Sequence, residues 1–288
     1  MQVYRGMNIG TEKPDAGERA ELPHHLIDIF NPDEQFSAGD FVRLAGEAAE
    51  DIAKRGKLPV VSGGTGFYLK NFIMGLPEAP PSDAAIRNRL KIELKEKGPG
   101  MLMDELAAID PESAGRIHIN DEYRLLRALE VTRLSGRPLS SFNVSGAQAV
   151  KKDNFRAGED FPRFRFYVYG LFRKRDELYR RINERCAVMF SQGLPGEVRS
   201  LYDVGYTPMD PGLKAIGYRE FFVEDEPGVF RLSTDMEGVQ ALISQNSRRY
   251  AKRQVTFFSS LPGTKQIEAC GDEETAVRLF EELELIMG

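Results

Sequence analysis

The sequence is poor in the residues that build metal centres and disulfides. Two of its 288 residues are cysteine and three are histidine. Cys186 and Cys270 lie far apart with no metal-type spacing, so they read as two reduced thiols of a cytosolic protein. Three histidines leave little for a His-rich metal site. No run approaches the roughly 18 consecutive apolar residues of a membrane span, and Met1-Gln2-Val3-Tyr4-Arg5-Gly6 lacks the apolar core of a signal peptide. Also missing is any Gly-Lys-Ser or Gly-Lys-Thr. The one Gly-Lys pair, Gly56-Lys57, is followed by Leu58, so no G-x-x-x-x-G-K-[ST] phosphate loop occurs. A cytoplasmic monomer with no membrane contact and no metal ligands recognisable in its sequence is expected.

What is present is ordinary for a globular protein: 41% hydrophobic and 29% charged residues, in a length that suits one large domain or two moderate ones. The net charge of −5 argues at first against a nucleic-acid partner, but the charges are segregated. Residues 151–185 hold eleven Lys/Arg against six acids, and Arg248-Arg249-Tyr250-Ala251-Lys252-Arg253 adds four more basic residues. The acids gather elsewhere, notably after Glu268. Such segregation permits a basic groove on an acidic protein; solvated helix faces would give the same pattern.

Leu58-Pro59-Val60-Val61-Ser62 reads as a strand. It ends in Gly63-Gly64-Thr65-Gly66, and the following run to Met74 suits a helix; this is the α/β unit that aims backbone N–H groups from a helix N-terminus. Upstream, Ser37 and Asp40 form a variant capping box. It opens a helix with Phe41, Leu44, Ala45, Ala48 and Ile52 at helical spacing, which Gly56 stops. After Pro77, Pro80 and Pro81 the pattern becomes all helical. Ile86, Leu90 and Leu94 form one stripe, Leu102, Leu106 and Ile109 another, and a third helix runs from about Asp121 to Leu134. Residues 136–163 look like loop. Strand character returns at Phe164–Leu171. A helix from Asp176 carries Leu178, Ile182, Cys186, Met189 and Phe190; Asp235 caps a long helix to Ser259; Glu273–Met287 forms the last. The expected fold is an α/β core with a parallel sheet, interrupted by a helical insertion.

Several short motifs in order carry a resemblance. They are the stretch from Met1 to Pro14, Pro23-His24-His25-Leu26-Ile27-Asp28, Phe36-Ser37-Ala38-Gly39-Asp40-Phe41 and Gly63-Gly64-Thr65-Gly66. Further along come Asn120-Asp121 with Arg127-Ala128-Leu129-Glu130-Val131, then Ile216-Gly217-Tyr218-Arg219-Glu220, then Ala251-Lys252-Arg253-Gln254. Together they resemble the tRNA dimethylallyltransferase (isopentenyl-tRNA transferase) family. The resemblance implies a P-loop-kinase-like parallel sheet core over 1–86 and 164–288, and a helical insertion domain over 87–163 that binds the anticodon stem-loop of tRNA. It implies transfer of a dimethylallyl group from dimethylallyl diphosphate to the exocyclic amine of the adenosine 3′ to the anticodon, with Mg2+ and nucleotide binding. The family's phosphate loop, first strand and an Asp-Ser pair holding its presumed general base would all precede the position matched by Met1. The chain is thus expected to be N-terminally truncated relative to the family pattern.

The resemblance also assigns residues. Thr65 would contact the reacting adenosine and steady the transition state; as a turn residue it could equally cap the next helix. Arg87 matches an arginine with a similar role, or is a solvated helix position. Arg185 would bind the pyrophosphate, or is a surface arginine beside Glu184. Met1 and Gln2, the stretch Tyr123-Arg124-Leu125-Leu126-Arg127 and the stretch Lys214-Ala215-Ile216-Gly217-Tyr218-Arg219 would contact tRNA. Leu125 and Leu126 fit a core equally well, and Arg124 and Arg127 suit phosphates better. Lys252, Arg253 and Gln254 are polar contacts to tRNA or within the protein, and His24 and His25 order a loop. The alternatives are a non-catalytic tRNA-binding fragment, an adenylate prenyltransferase and, behind these, a P-loop kinase.

Overall fold

The computed structural model describes residues 1–76, 78–142, 164–261 and 263–287. Most of the expected loop over 136–163 lies outside the described residues, and with it Lys151, Lys152, Arg156 and Arg163 of the basic stretch. In chain order the elements are α1 (Ala16–Glu21), α2 (Ala38–Lys54), α3 (Gly66–Met74), α4 (Ala84–Ile109), α5 (Pro111–Arg116), α6 (Glu122–Ser135), β1 (Val168–Phe172), α7 (Arg175–Ser191), α8 (Leu194–Asp203), β2 (Phe222–Glu226), β3 (Val229–Leu232), α9 (Met236–Ser260), β4 (Thr264–Glu268) and α10 (Asp272–Met287). No helix among the described residues is long and apolar enough to cross a membrane. The fold is α/β and contains a parallel strand pair, β1 beside β4, in register from Val168↔Thr264 to Phe172↔Glu268.

Two compact units divide the chain, the first comprising residues 1–73 and 164–287, the second residues 74–142. The first unit's core gathers Tyr4, Met7 and Phe36 from the N-terminal segment with Cys186 and Met189 of α7, Leu194 and Val198 of α8, Tyr218, Phe221, and Val239 and Ile243 of α9. Its α2 begins as the capping box predicts: the Ser37 hydroxyl accepts the Asp40 N–H at 3.1 Å, and the Asp40 carboxylate accepts the Ser37 N–H at 3.0 Å. The buried face is Val42, Ala45, Gly46 and Ala49, so the apolar stripe is rotated by about one residue from the predicted one. Small residues form the contact, while Phe41 stacks on Tyr68 at 5.2 Å beside it. Gly56 ends the helix in the left-handed region at φ +70, where a Cβ would be strained.

The second unit is helical, with a core of Leu90, Leu102 and Leu106 from α4 and Leu125, Leu126, Ala128 and Leu129 from α6. The two predicted stripes share one helix that bends at Gly98 (φ +77), ahead of Pro99. Proline has no N–H to give the preceding turn, so the stripes run on two axes. Ile109, expected on the second stripe, is 39% exposed. Asp121 and Asp83 cap α6 and α4 by accepting the N–H groups of Arg124 and Ile86.

Two expectations for strands need correction, and one pair of strands was not expected. Leu58-Pro59-Val60-Val61-Ser62 forms no strand: it has no ladder among the described residues, and Val60 is 77% exposed. A strand exists only through a hydrogen-bonded neighbour. The later strand begins at Val168 rather than Phe164, where its pairing with β4 begins. Finally, β2 and β3 form an antiparallel hairpin that hydrophobic periodicity does not announce, because Glu224, Asp225 and Glu226 interrupt it.

Candidate functional site

In the first unit, the glycine-rich turn is seated on the basic helix α9. The Gln254 side-chain amide donates to the Gly64 carbonyl at 2.7 Å, and the Tyr250 hydroxyl donates to the same oxygen at 3.3 Å. A Cβ on Gly64 would lie 2.1 Å from the Gln254 amide nitrogen, and one on Gly66 2.2 Å from the Phe257 ring. Glycine at both places is therefore a matter of close approach. Thr65 between them is exposed, and its carbonyl accepts the Tyr68 and Leu69 N–H groups at the start of α3. On α9, Arg249, Lys252, Arg253, Thr256, Phe257 and Ser260 line an open groove. Among the described residues no carboxylate pairs with Arg249, Lys252 or Arg253, which leaves concentrated positive charge next to an aromatic ring. Phosphate attraction plus a stacking face is what single-stranded nucleic acid binds.

A second cluster in this unit surrounds the N-terminal segment. Arg185 on α7 reaches the Glu12 carboxylate at 3.0 Å while staying half exposed. Gln2 donates its side-chain amide to the carbonyls of Thr11 and Glu12, so Gln2 and Arg185 share one loop; Met1 is exposed at its edge. Beneath, the Lys13 ammonium is buried and donates to the Tyr4 carbonyl, the Asn8 side chain and the Asp28 carboxylate. Burial alone would push the Asp28 carboxyl up, but Lys13 and Arg19 hold it below its ordinary value. Glu197 of α8 accepts the N–H groups of Asn8, Ile9 and Gly10 and the Tyr218 hydroxyl. Burial and that carboxylate both push the Tyr218 hydroxyl far above its usual range. His24 and His25 are exposed, and a ring nitrogen of His24 bonds the Leu22 carbonyl.

The stretch expected to touch tRNA from Lys214 to Arg219 splits in two. Lys214 and Arg219 are exposed, while Gly217 and Tyr218 are buried and Ala215 and Ile216 pack partly on the core. Of this stretch, Tyr218 puts its ring in the core and its hydroxyl on Glu197. Gly217 sits at φ +98 and donates its N–H to the buried Glu220 carboxylate.

In the second unit, the Tyr123–Arg127 stretch divides the same way. Tyr123 is 71% exposed and Arg124 points to solvent, paired with Asp121. Leu125 and Leu126 are core, the second of the two readings the sequence leaves open for them. Arg127 donates to the Glu130 carboxylate and to the Pro80 carbonyl. Arg87 is not a solvated helix position either: it pairs with Glu130 at 3.0 Å, and its guanidinium lies 4.6 Å from the Tyr123 ring centroid. The sequence motif assigns no role to Glu130; its signal is a carboxylate that, with Arg127, interrupts the otherwise apolar stretch Leu125–Val131. Asp28 and Glu197 had no such signal, since their partners are far away in sequence.

Among the described residues no three His, Cys, Asp or Glu side chains come together as a metal cage, and Cys186 and Cys270 are free thiols, the first buried and the second exposed.

Comparison with known proteins shows the family to which the chain belongs. The sequence signature of a family described as IPP transferase matches residues 2–261. A tRNA dimethylallyltransferase of Geobacter sulfurreducens is 41% identical over 93% of this chain and 81% of its own length. One from Geobacillus thermodenitrificans is 40% identical over 100% of this chain and 86% of its own. Among solved structures, the full-length tRNA isopentenylpyrophosphate transferase of Bacillus halodurans superposes with a TM-score of 0.63 at 34% identity, covering 98% of this chain and 84% of that one. A eukaryotic dimethylallyltransferase acting on tRNA gives 0.71 at 25% identity, covering 93% and 65%.

Proposed function

This chain belongs to the IPP transferase family, and on that premise we propose that it transfers a dimethylallyl group from dimethylallyl diphosphate to the exocyclic amine of the adenosine 3′ to the anticodon in tRNA. The amine nitrogen forms a bond to the terminal allylic carbon, the carbon–oxygen bond to diphosphate breaks, diphosphate leaves with the electron pair, and the amine gives up a proton to a base. Charge therefore grows on the leaving group, and preorganised cations are what it needs.

The observation that carries this reading is the seating of Gly63-Gly64-Thr65-Gly66 on α9 through Gln254. It holds an exposed threonine on a turn fixed to the helix whose Arg249, Lys252 and Arg253 are free of carboxylates among the described residues. In this reading Thr65 contacts the flipped adenosine, a base being reachable only out of its stack. Arg185, half exposed, exchanges Glu12 for diphosphate. Lys214 and Arg219 hold tRNA phosphates, as do Met1 and Gln2 at their loop. Arg87 steadies the reacting group, and Tyr123 and Arg124 of the second unit meet the anticodon stem-loop. Mg2+ would arrive with the diphosphate, since it keeps several waters and needs only one or two carboxylates beside phosphate oxygens. The protein acts as a cytoplasmic monomer.

Incubating the protein with radiolabelled dimethylallyl diphosphate and tRNA carrying adenosine beside the anticodon should yield labelled prenyladenosine on digestion, and AMP should not compete. Salt-sensitive tRNA binding by folded protein without any incorporation would refute the transferase reading. Competition by AMP would redirect it to a free nucleotide.

A further inference from the structure

The Glu130 side chain is wholly buried in the second unit, yet four donors converge on it. One oxygen accepts the Ser82 hydroxyl at 2.6 Å and the Asp83 N–H at 2.9 Å; the other accepts Arg87 at 3.0 Å and Arg127 at 2.9 Å. One carboxylate oxygen thus holds the segment leading into α4, and the other holds two guanidiniums. Burial would push this carboxyl up, but the hydrogen bonds from Ser82, Arg127, Asp83 and Arg87 keep it below its ordinary value. It is charged, and with two arginines the cluster carries one surplus positive charge.

The two arginines are not equivalent. Arg127 forks its two terminal nitrogens onto Glu130 and the Pro80 carbonyl. Arg87 uses one terminal nitrogen on Glu130, and its flat face rests near the ring of the exposed Tyr123. Its other terminal nitrogen and its Nε have no hydrogen-bond partner among the described residues. The surplus charge is therefore presented by Arg87, through a guanidinium clamped from two sides. Buried ion triads contribute little net stability compared with an apolar core of the same volume. Fixing direction is what such a cluster does better than leucine would.

We infer that Glu130 is a positioning residue for the transfer reaction: it fixes the Arg87 guanidinium with its unpaired nitrogens toward an anionic or polar reacting group. The inference rests on the reading of Arg87 given above. A misplacement of about 1 Å in a catalytic group lowers turnover by on the order of 10²-fold, and removal of a transition-state donor does so by about 10²–10³-fold.

The test measures kcat and KM for tRNA in the wild type, Arg87→Met, Glu130→Gln, Glu130→Asp and the double variant Arg87→Met/Glu130→Gln. Glu130→Gln and Glu130→Asp should each lower kcat at least ~10-fold with KM for tRNA near wild type, in line with the cost of misplacement. The double variant should be no slower than Arg87→Met alone, because Glu130 acts through Arg87. Glu130→Asp keeps the charge but withdraws the carboxylate, so it decides the matter should Glu130→Gln fail to fold. An unchanged kcat in folded Glu130→Asp, or losses that multiply in the double variant, would overturn the inference. An unchanged kcat in Arg87→Met would instead overturn the reading of Arg87 beneath it.

Discussion

Gln254 and Gly64, 190 residues apart in sequence, meet through a 2.7 Å hydrogen bond from side-chain amide to carbonyl. That bond makes the glycine-rich turn a continuation of the basic helix rather than an independent loop. The position of Thr65 is thereby coupled to packing on α9.

The two flanking glycines should respond differently to alanine. In Gly64→Ala the new methyl meets the end of the flexible Gln254 side chain, which can swing aside. In Gly66→Ala it meets the Phe257 ring at 2.2 Å, and displacing a ring costs about 1–3 kcal/mol. Urea unfolding should show the larger loss for Gly66→Ala. Gly64→Ala should keep most of its stability but lose the coupling of the turn to α9, seen as faster amide hydrogen exchange at Gly66 and Phe67.

Removing charge from the groove should change the salt dependence of tRNA binding. Each phosphate contact adds roughly 0.7–0.9 to the slope of log affinity against log salt. Lys252→Ala should shorten the slope by about one contact, whereas Lys97→Ala, on an exposed face and paired with Glu93, should leave it unaltered. Filter binding across a salt series reads both. Equal slopes for Lys252→Ala and wild type would place the phosphates elsewhere.

Acid should weaken the second unit through Asp110. Burial pushes its carboxyl up, but hydrogen bonds from Ser113 and Ser140 outweigh that and hold it down at about 2. A depressed carboxyl contributes stability that is complete above the unfolded value near pH ~4 and is lost as pH falls toward the folded value. Glu93, held at about 2 chiefly by Arg133, titrates across the same window. Thermal melts should therefore fall steeply between about pH 4 and pH 2. Asp110→Asn, which can still cap α5, should flatten part of that fall and leave the Glu93 part.

Tyr218→Phe should cost less than Glu197→Ala. The first removes one hydroxyl from a carboxylate that keeps three N–H donors, a loss of about 1 kcal/mol. The second strands those three N–H groups and the hydroxyl together, which should cost about 2 kcal/mol or more. Chemical denaturation at neutral pH compares the two, and equal losses would contradict this assignment of the bonds.

Local chemistry was legible in the sequence where a single segment decides it. The Ser37–Asp40 box, the Asp121 and Asp235 caps and the stop at Gly56 all depend on residues within a turn of one another. Structure that depends on distant partners was not legible. Leu58–Ser62 has the composition of a strand but no neighbour to bond among the described residues, and the β2–β3 hairpin shows only its turn, Pro227-Gly228, because acidic residues mask its alternation. The candidate site divides similarly. Thr65 and the α9 cations stand out by type and spacing, whereas the burial of Tyr218, Leu125 and Leu126 within tRNA-like motifs is a fact of packing. Arg87 could be located in sequence, but the carboxylate that aims it comes from another helix.

The carboxylate of Glu197 acts as a built-in counter-ion for the loop at Asn8–Gly10. It has already claimed the three amides that would otherwise be the most directional anion receptor near the N-terminal segment. Those three amides are therefore closed to a second anion, and an anion that reaches this loop meets a fixed negative charge at its base rather than an open nest of donors.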